Sequence, residues 1–295
     1  MDNAFYAEHA ASFSATRSTP WQGWERLAEL LRERGEPWAN GMGKDSGESM
    51  ETVHVLDLAC GNLRFERFLR RAFPELTLTF HAYDSCPDLV CPELVEEGAS
   101  ESRPVSTDEG ADRGGNLDVR FHELDALDVL LGRMEASATD SGTNVAAGGA
   151  KGLLLDAPPC ALTVCFGFMH HVPGGVLRRA VLDALVDATA PGSVIAVSFW
   201  RFMDDPRLAR KARAADASAV ANPPFEGFSP TALEPGDHFL GWQDDSRPLR
   251  YCHHFDEAEI DELASGVTAR ARETARFSAD GASGTLNRYL VLQKL

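Results

Sequence analysis

What most limits the fold of this chain is an alternation kept up along most of its length. Short apolar runs rich in β-branched residues are separated by stretches whose apolar residues recur at helical spacing. Runs at Val53–Leu58, Leu76–Tyr83, Leu117–Leu124, Ala161–Gly167, Ser193–Trp200, Ala275–Ala279 and Leu286–Gln293 read as strands. Helices fit over Trp21–Glu33, Arg64–Phe73, Gly175–Thr189 and Asp256–Ser265. Strands joined through helices run parallel, because a crossover returns the chain to the same end of the sheet. The last two runs are joined only by the Gly-Ala-Ser-Gly turn at Gly281–Gly284, too tight for a crossover, so the final strand is expected to be antiparallel.

The expected architecture is therefore α/β: a seven-stranded, mostly parallel, Rossmann-like sheet with an antiparallel last strand and helices on both faces. At 295 residues a single domain over 1–295 suffices. Residues 201–250 interrupt the sheet between strands five and six. They carry Trp, Phe, Pro and Gly after a strand's C-terminal end, which suits a substrate-facing insertion or lid. Segments 39–50, 96–116 and 136–151 are almost wholly small, polar or acidic and are expected as flexible surface loops.

Composition excludes more than it proposes. A net charge of −17 is a poor surface for gripping a polyphosphate backbone, although Arg207–Arg213 and Arg270, Arg272 and Arg276 form local basic patches that also suit solvated helix faces or strand ends. No apolar run approaches the roughly 18–20 residues that span a bilayer, and the acidic start MDNAFYAEHAASF lacks the features of a secretory signal. A cytoplasmic protein without a membrane partner is expected. The six cysteines include no CxxC pair, so they read as reduced thiols and no metal site is expected.

Chemistry concentrates at strand ends. Val55-Leu-Asp57-Leu breaks into Ala59-Cys-Gly61-Asn before a helix, which is where nucleotide-type ligands sit in doubly wound folds. A pyrophosphate there needs several glycines for close backbone approach, and this turn has one. S-adenosylmethionine has no phosphate, so a turn with Gly61 at its tightest point and Ala59 beside it suits it better. Asp57 can anchor its ammonium directly or through water. Strand two ends in Asp84, followed by Ser85, where a carboxylate can accept both ribose hydroxyls; a turn or helix cap is the other reading. Strand three ends in Asp125-Ala126, which either contact adenine or cap the next helix, Leu127–Arg133.

Three acids at successive strand ends after one glycine turn resemble the class I S-adenosylmethionine-dependent methyltransferases over about 53–295. Leu63 departs from that pattern, standing where the family usually has glycine. Finer resemblance lies in Phe13-Ser-Ala-Thr-Arg17-Ser-Thr-Pro-Trp21, in Val164-Cys165-Phe166-Gly-Phe-Met-His170-His171-Val-Pro, in Pro235-Gly-Asp-His-Phe-Leu-Gly-Trp242 and in Arg250-Tyr-Cys-His-His-Phe. These resemble segments of the tRNA wobble-uridine methyltransferases that esterify a carboxymethyl group. The resemblance implies S-adenosylmethionine as cofactor, with Cys165 and Phe166 in its site, and a tRNA acceptor. A small activator protein is a further implied partner. Against it stand the unusual acidity and the segments 96–116 and 136–151.

An acceptor carboxylate is already ionised at neutral pH and needs capture rather than a base. Arg17 and Arg250 are the candidates, with Arg201 a third. His170 can line the donor pocket, contact the acceptor, or serve as base for a hydroxyl; a packed or capping histidine is the plainer reading. A small-molecule carboxylate or hydroxyl is the alternative acceptor, and an inactive cofactor-binding regulatory subunit is a further alternative.

Overall fold

A computed structural model of the chain describes residues 19–38, 52–90, 103–105, 118–139, 153, 155–241 and 249–295. Helix α1 (Gln22–Arg34) buries Trp24, Leu27, Ala28 and Leu31, the i, i+3, i+4, i+7 stripe of an amphipathic helix. Then follow β1 (Val53–Leu58), α2 (Arg64–Ala72), β2 (Leu78–Asp84), the single turn α3 (Pro87–Val90), β3 (Arg103–Val105), β4 (Asp118–Glu123) and α4 (Ala126–Thr139). After β5 (Cys160–Cys165) and α5 (Gly175–Ala188) comes the long β6 (Thr189–Trp200). The insertion holds α6 (Pro206–Ala221), β7 (Asp237–Leu240) and β8 (Arg250–His253), and α7 (Glu257–Ser265), β9 (Ala271–Ala279) and β10 (Asn287–Lys294) end the chain.

The main sheet has eight strands in the order β3-β4-β2-β1-β5-β6-β10-β9. β4, β2, β1, β5 and β6 are parallel, and β10 runs antiparallel to both neighbours. All seven expected strands are present, with the antiparallel last strand. The eighth, β3, pairs antiparallel with β4 and falls inside the segment 96–116 that was expected as a loop; its Arg-Pro-Val satisfies the open edge of β4. Residues 136–139 are also not loop. They extend α4, since Met134, Glu135, Ala136 and Ala138 are helix formers. The rest of those two segments, and 39–50, lie outside the described residues.

Alternation along β1 explains the two core layers. Val53 and Val55 join Trp24, Leu27, Phe65 and Leu69 of α1 and α2. Leu56 and Leu58 face the other way, against Val181, Leu182 and Leu185 of α5 and Ile260 of α7. Each such fully buried side chain contributes about 1.5–3 kcal/mol. α1 also approaches β10 closely: a Cβ on Gly23 would lie 2.1 Å from the Tyr289 ring, and Gly23 N donates to Asp280 Oδ1 at 3.0 Å.

The insertion has small cores of its own. Phe202, Ala212, Leu240 and Cys252 form one, and Ala219, Phe239 and Leu249 another. The basic run at 207–213 lies on α6, a helix absent from the sequence-based assignment. Its start was readable: Asp205 caps Arg207 N and Leu208 N, with Pro206 in the first turn. Among the described residues no helix is long and apolar enough to cross a membrane.

Candidate active site

The strand order reverses between β1 and β5, and in open α/β sheets ligands bind beyond the strand C-termini at that point. A cavity of about 410 Å³ lies there. The ends of β1, β2, β4, β5 and β6 all reach it, through Leu58, Asp84, Asp125, Phe166 and Trp200.

The turn after β1 is held in a strained conformation. Ala59, Gly61 and Leu63 all have positive φ (65°, 56° and 55°), which costs a side-chain-bearing residue about 1–2 kcal/mol. Two bonds to Tyr83 O, from Ala59 N at 2.7 Å and Cys60 N at 3.0 Å, hold the turn in place. Leu63 thus keeps the backbone shape that favours glycine, and its side chain is fully buried beside Phe65.

Asp84 ties two loops together. Its Oδ2 accepts from Gly61 N at 2.8 Å and its Oδ1 from Cys86 N at 2.9 Å. Burial raises its pKa, while the amides of Gly61, Cys86 and Ser85 pull it down. A carboxylate has about four lone-pair sites, so these bonds leave acceptor capacity for a diol. Asp125 Oδ1 caps α4, accepting from Leu127 N and Asp128 N at 3.1 Å each, while the residue also lines the cavity beside Ala126.

Below the turn sit two more acids. Asp57 shares the α2-facing side of β1 and is 2% exposed, and Glu66 of α2 is 0% exposed. Burial pushes both carboxyls up, Glu66 to about 7, and the proximity of Glu66 drives Asp57 higher still. Such a pair retains a proton near neutral pH. Among the described residues Asp57 Oδ1 has no hydrogen-bond partner outside the Asp57–Glu66 pair, and the residue lines the cavity.

The opposite end of the cavity is aromatic and basic. His170 packs 4.8 Å from Trp200 and 4.0 Å from His171, centroid to centroid. Arg250 stands 5.7 Å over the Trp200 ring, and all four line the cavity.

The structure thus gathers Asp57, Ala59, Gly61, Asp84, Ser85, Asp125, Ala126, Phe166, His170 and Arg250 around one space. Cys165 is not part of it. The last residue of β5, it points into the α5-side core and is fully buried there. Arg201 is also elsewhere, paired with Asp204 at 2.7 Å and Glu257 at 2.6 Å. Arg17 lies outside the described residues. Arg270 pairs with Asp183 and Asp187, and Arg276 with Glu257, Asp261 and Glu273, while Arg272 donates to Gln293 Oε1, so two of the three arginines of that patch are spent on internal ion pairs. Sequence reasoning missed Arg64, which lines the cavity with its guanidinium 5.4 and 4.9 Å from the Trp21 and Trp24 rings. An arginine opening the helix after a glycine turn was the available signal.

No family model and no curated protein matches the chain. Solved structures that resemble it include an S-adenosylmethionine-dependent methyltransferase from Methanosarcina mazei (14% identity, 82% of this chain, 92% of that one, TM-score 0.49). An amino pentose methyltransferase of calicheamicin biosynthesis from Micromonospora echinaspora, with S-adenosylmethionine bound, is 13% identical over 98% and 96% of the two chains, TM-score 0.48. The N-methyltransferase NodS from Bradyrhizobium japonicum, in complex with S-adenosylhomocysteine, is 10% identical over 99% and 97%, TM-score 0.46. With every one of these scores below 0.5, a functional reading rests on the sheet order and cavity of this chain.

Proposed function

We propose that this chain is an S-adenosylmethionine-dependent methyltransferase acting on a small acceptor that offers a carboxylate or hydroxyl oxygen. The observation that carries the reading is the donor set at the switch-point cavity: a one-glycine turn, a partly used carboxylate at the end of β2, and a buried acid beneath the turn. That set fits a cationic nucleoside and fits a pyrophosphate poorly, because acids face the ligand where a phosphate site would offer a nest of amides.

In this reading Asp84 accepts from the ribose hydroxyls, and Ser85 completes that rim. Asp57 and the Ala59–Gly61 turn face the ammonium, and Arg64, at the start of α2, takes the carboxylate. Tyr83, Leu89, Ala126 and Leu127 form the apolar slot for the adenine, with Asp125 at its edge and Phe166 on the methionyl side. When bound, that cofactor supplies an electrophilic methyl group on sulfur. Arg250, stacked on Trp200, holds an acceptor carboxylate, which needs no base; His170 accepts the proton where the acceptor is a hydroxyl. Trp200 keeps water from the reacting oxygen, and the described parts of the insertion, 201–241 and 249–250, form the acceptor-side cover.

A tRNA acceptor with a wobble-uridine carboxymethyl group, aided by a small activator protein, is the second reading. The exposed Arg207, Arg210 and Arg213 on α6 favour it. Calorimetry is the first test: S-adenosylmethionine should bind, and Asp84→Ala should weaken it at least about 100-fold, as loss of hydrogen bonds to a charged group implies. Unchanged affinity removes the reading. Radiolabelled methyl should then enter small carboxylic or hydroxylic acceptors. Label in bulk tRNA with a steep salt dependence would favour the second reading, and binding without turnover would indicate a regulatory subunit.

A further inference from the structure

The acceptor end of the cavity holds a second set of donors, of a different kind. His170 and His171 lie on the single turn Met169–His171 that follows β5, and Cys252 lies in the middle of β8. All three are buried, and one ligand atom from each lies within 4.8 Å of the other two. Among the described residues no other group of histidine, cysteine or acidic side chains comes together in this way.

The sequence contains no metal motif, because the donors come from two places some eighty residues apart and meet only through the fold. From this convergence we propose that His170, His171 and Cys252 bind a zinc ion whose fourth position opens into the cavity. Two imidazoles and a thiolate are the donor types that zinc favours, and three protein ligands with one open position mark the catalytic rather than the structural class of zinc site. Zinc–nitrogen bonds of about 2.0–2.1 Å and zinc–sulfur bonds of about 2.3 Å give tetrahedral edges of about 3.3–3.7 Å. The three atoms therefore need to close by at most about 1.5 Å, a side-chain adjustment.

A second observation points the same way. His171 Nδ1 lies 3.2 Å from Tyr251 O. A carbonyl only accepts, so that nitrogen carries a hydrogen, and in the neutral ring Nε2 carries the lone pair. A backbone carbonyl that fixes the tautomer through the far nitrogen is the usual outer support of a zinc-bound histidine. Here the supporting carbonyl belongs to the residue next to the third ligand, so one strand supplies both.

The two histidines line the cavity while Cys252 stands behind them in the wall. The open position consequently faces the space that Arg250 also borders. A dication with one thiolate keeps a net charge of +1, and the guanidinium adds another. The ligand suited to that position is an oxyanion: a carboxylate, or a hydroxyl whose ionisation the metal makes easier. The test of the site needs no cofactor, but the site changes one role in the methyl-donor reading: a zinc-bound His170 has no lone pair left for a proton, so ionisation of a hydroxyl at the metal replaces the His170 base.

The full-length protein, stripped with a chelator, given zinc and desalted, should keep about one zinc per chain by elemental mass spectrometry, as one site requires. Cobalt in place of zinc should give tetrahedral visible bands and a sulfur-to-metal charge-transfer band. Cys252→Ser should abolish the sulfur band. His170→Ala should weaken zinc binding by at least about 100-fold, more than the loss of an outer-shell partner costs. Retention of zinc unchanged in Cys252→Ser overturns the proposal. So does a wild-type chain that keeps no zinc, or a cobalt spectrum without the sulfur band; these readouts on the wild type decide the matter even if a variant fails to fold.

Discussion

Two buried clusters of ionisable groups sit at opposite ends of this molecule's charge economy. At the junction of the insertion with the core, His253 lies between Asp237 Oδ1 at 2.6 Å and Glu259 Oε2 at 2.7 Å. Arg178 reaches Glu259 at 2.8 Å and Glu234 at 2.7 Å. Its Nη1 also donates to Val172 O at 3.1 Å, and Tyr251 donates to Asp237. Every charge there has an opposite or a donor. Beneath the turn after β1, Asp57 and Glu66 face one another, and among the described residues neither is held in an ion pair; only the more distant Arg67 charge favours the ionised Glu66. The first cluster holds the fold together; the second is a cost the fold carries beside its cavity, as functional sites often do.

The sharpest way to break this comparison is to unbalance the saturated cluster. Arg178→Met should destabilise the protein by about 1.5–3 kcal/mol, because it removes a buried guanidinium that bonds the Val172 carbonyl and the partly exposed Glu234 and Glu259; chemical denaturation measures it. A loss under about 1 kcal/mol, the size of a surface pair, would show that the cluster is solvated.

The starved cluster should respond in the opposite sense. A carboxyl whose folded pKa is raised carries no penalty below its unfolded value, and the penalty grows as pH rises through the folded one. With Glu66 at about 7, Glu66→Gln should stabilise the fold by about 1–3 kcal/mol at pH 8, the cost of an unsatisfied buried group. The gain should vanish near pH 5. Thermal melts at the two pH values compare them, and equal effects at both would remove the shared-proton account.

The smallest effect belongs to His253. Burial works against its charge, but hydrogen bonds to Asp237 and Glu259 outweigh that and raise its pKa. Its stabilising contribution is therefore complete below the ordinary histidine value of about 6.5 and is lost as pH climbs through the raised one. The stability gap between the wild type and His253→Gln should narrow from pH 6 to pH 9. A constant gap would mean that the ring acts by packing alone.

How legible these regions were follows from how far apart in sequence their parts lie. Asp84 and Asp125 could be read because each closes an apolar run, and a strand end fixes where such a residue stands. Glu66 could not. In Arg-Phe-Glu-Arg-Phe it looks like a surface residue, and only the packing phase of α2, with Phe65 and Leu69 turned inward, buries it. The same phase problem hid Cys165, whose neighbour Phe166 faces the cavity while it faces the core. Arg201 looked like an anion receptor, and its carboxylate partner Glu257 arrives from α7, across the insertion. The meeting of His170 and His171 with Cys252 depends on the return path of the same insertion.

The Asp84 carboxylate grips one amide in the turn after β1 and another in the turn after β2. Whatever draws on its remaining lone pairs therefore pulls on two loops at once. Neither loop can move away from the other without stretching an Asp84 hydrogen bond, which makes one side chain the drawstring of that rim.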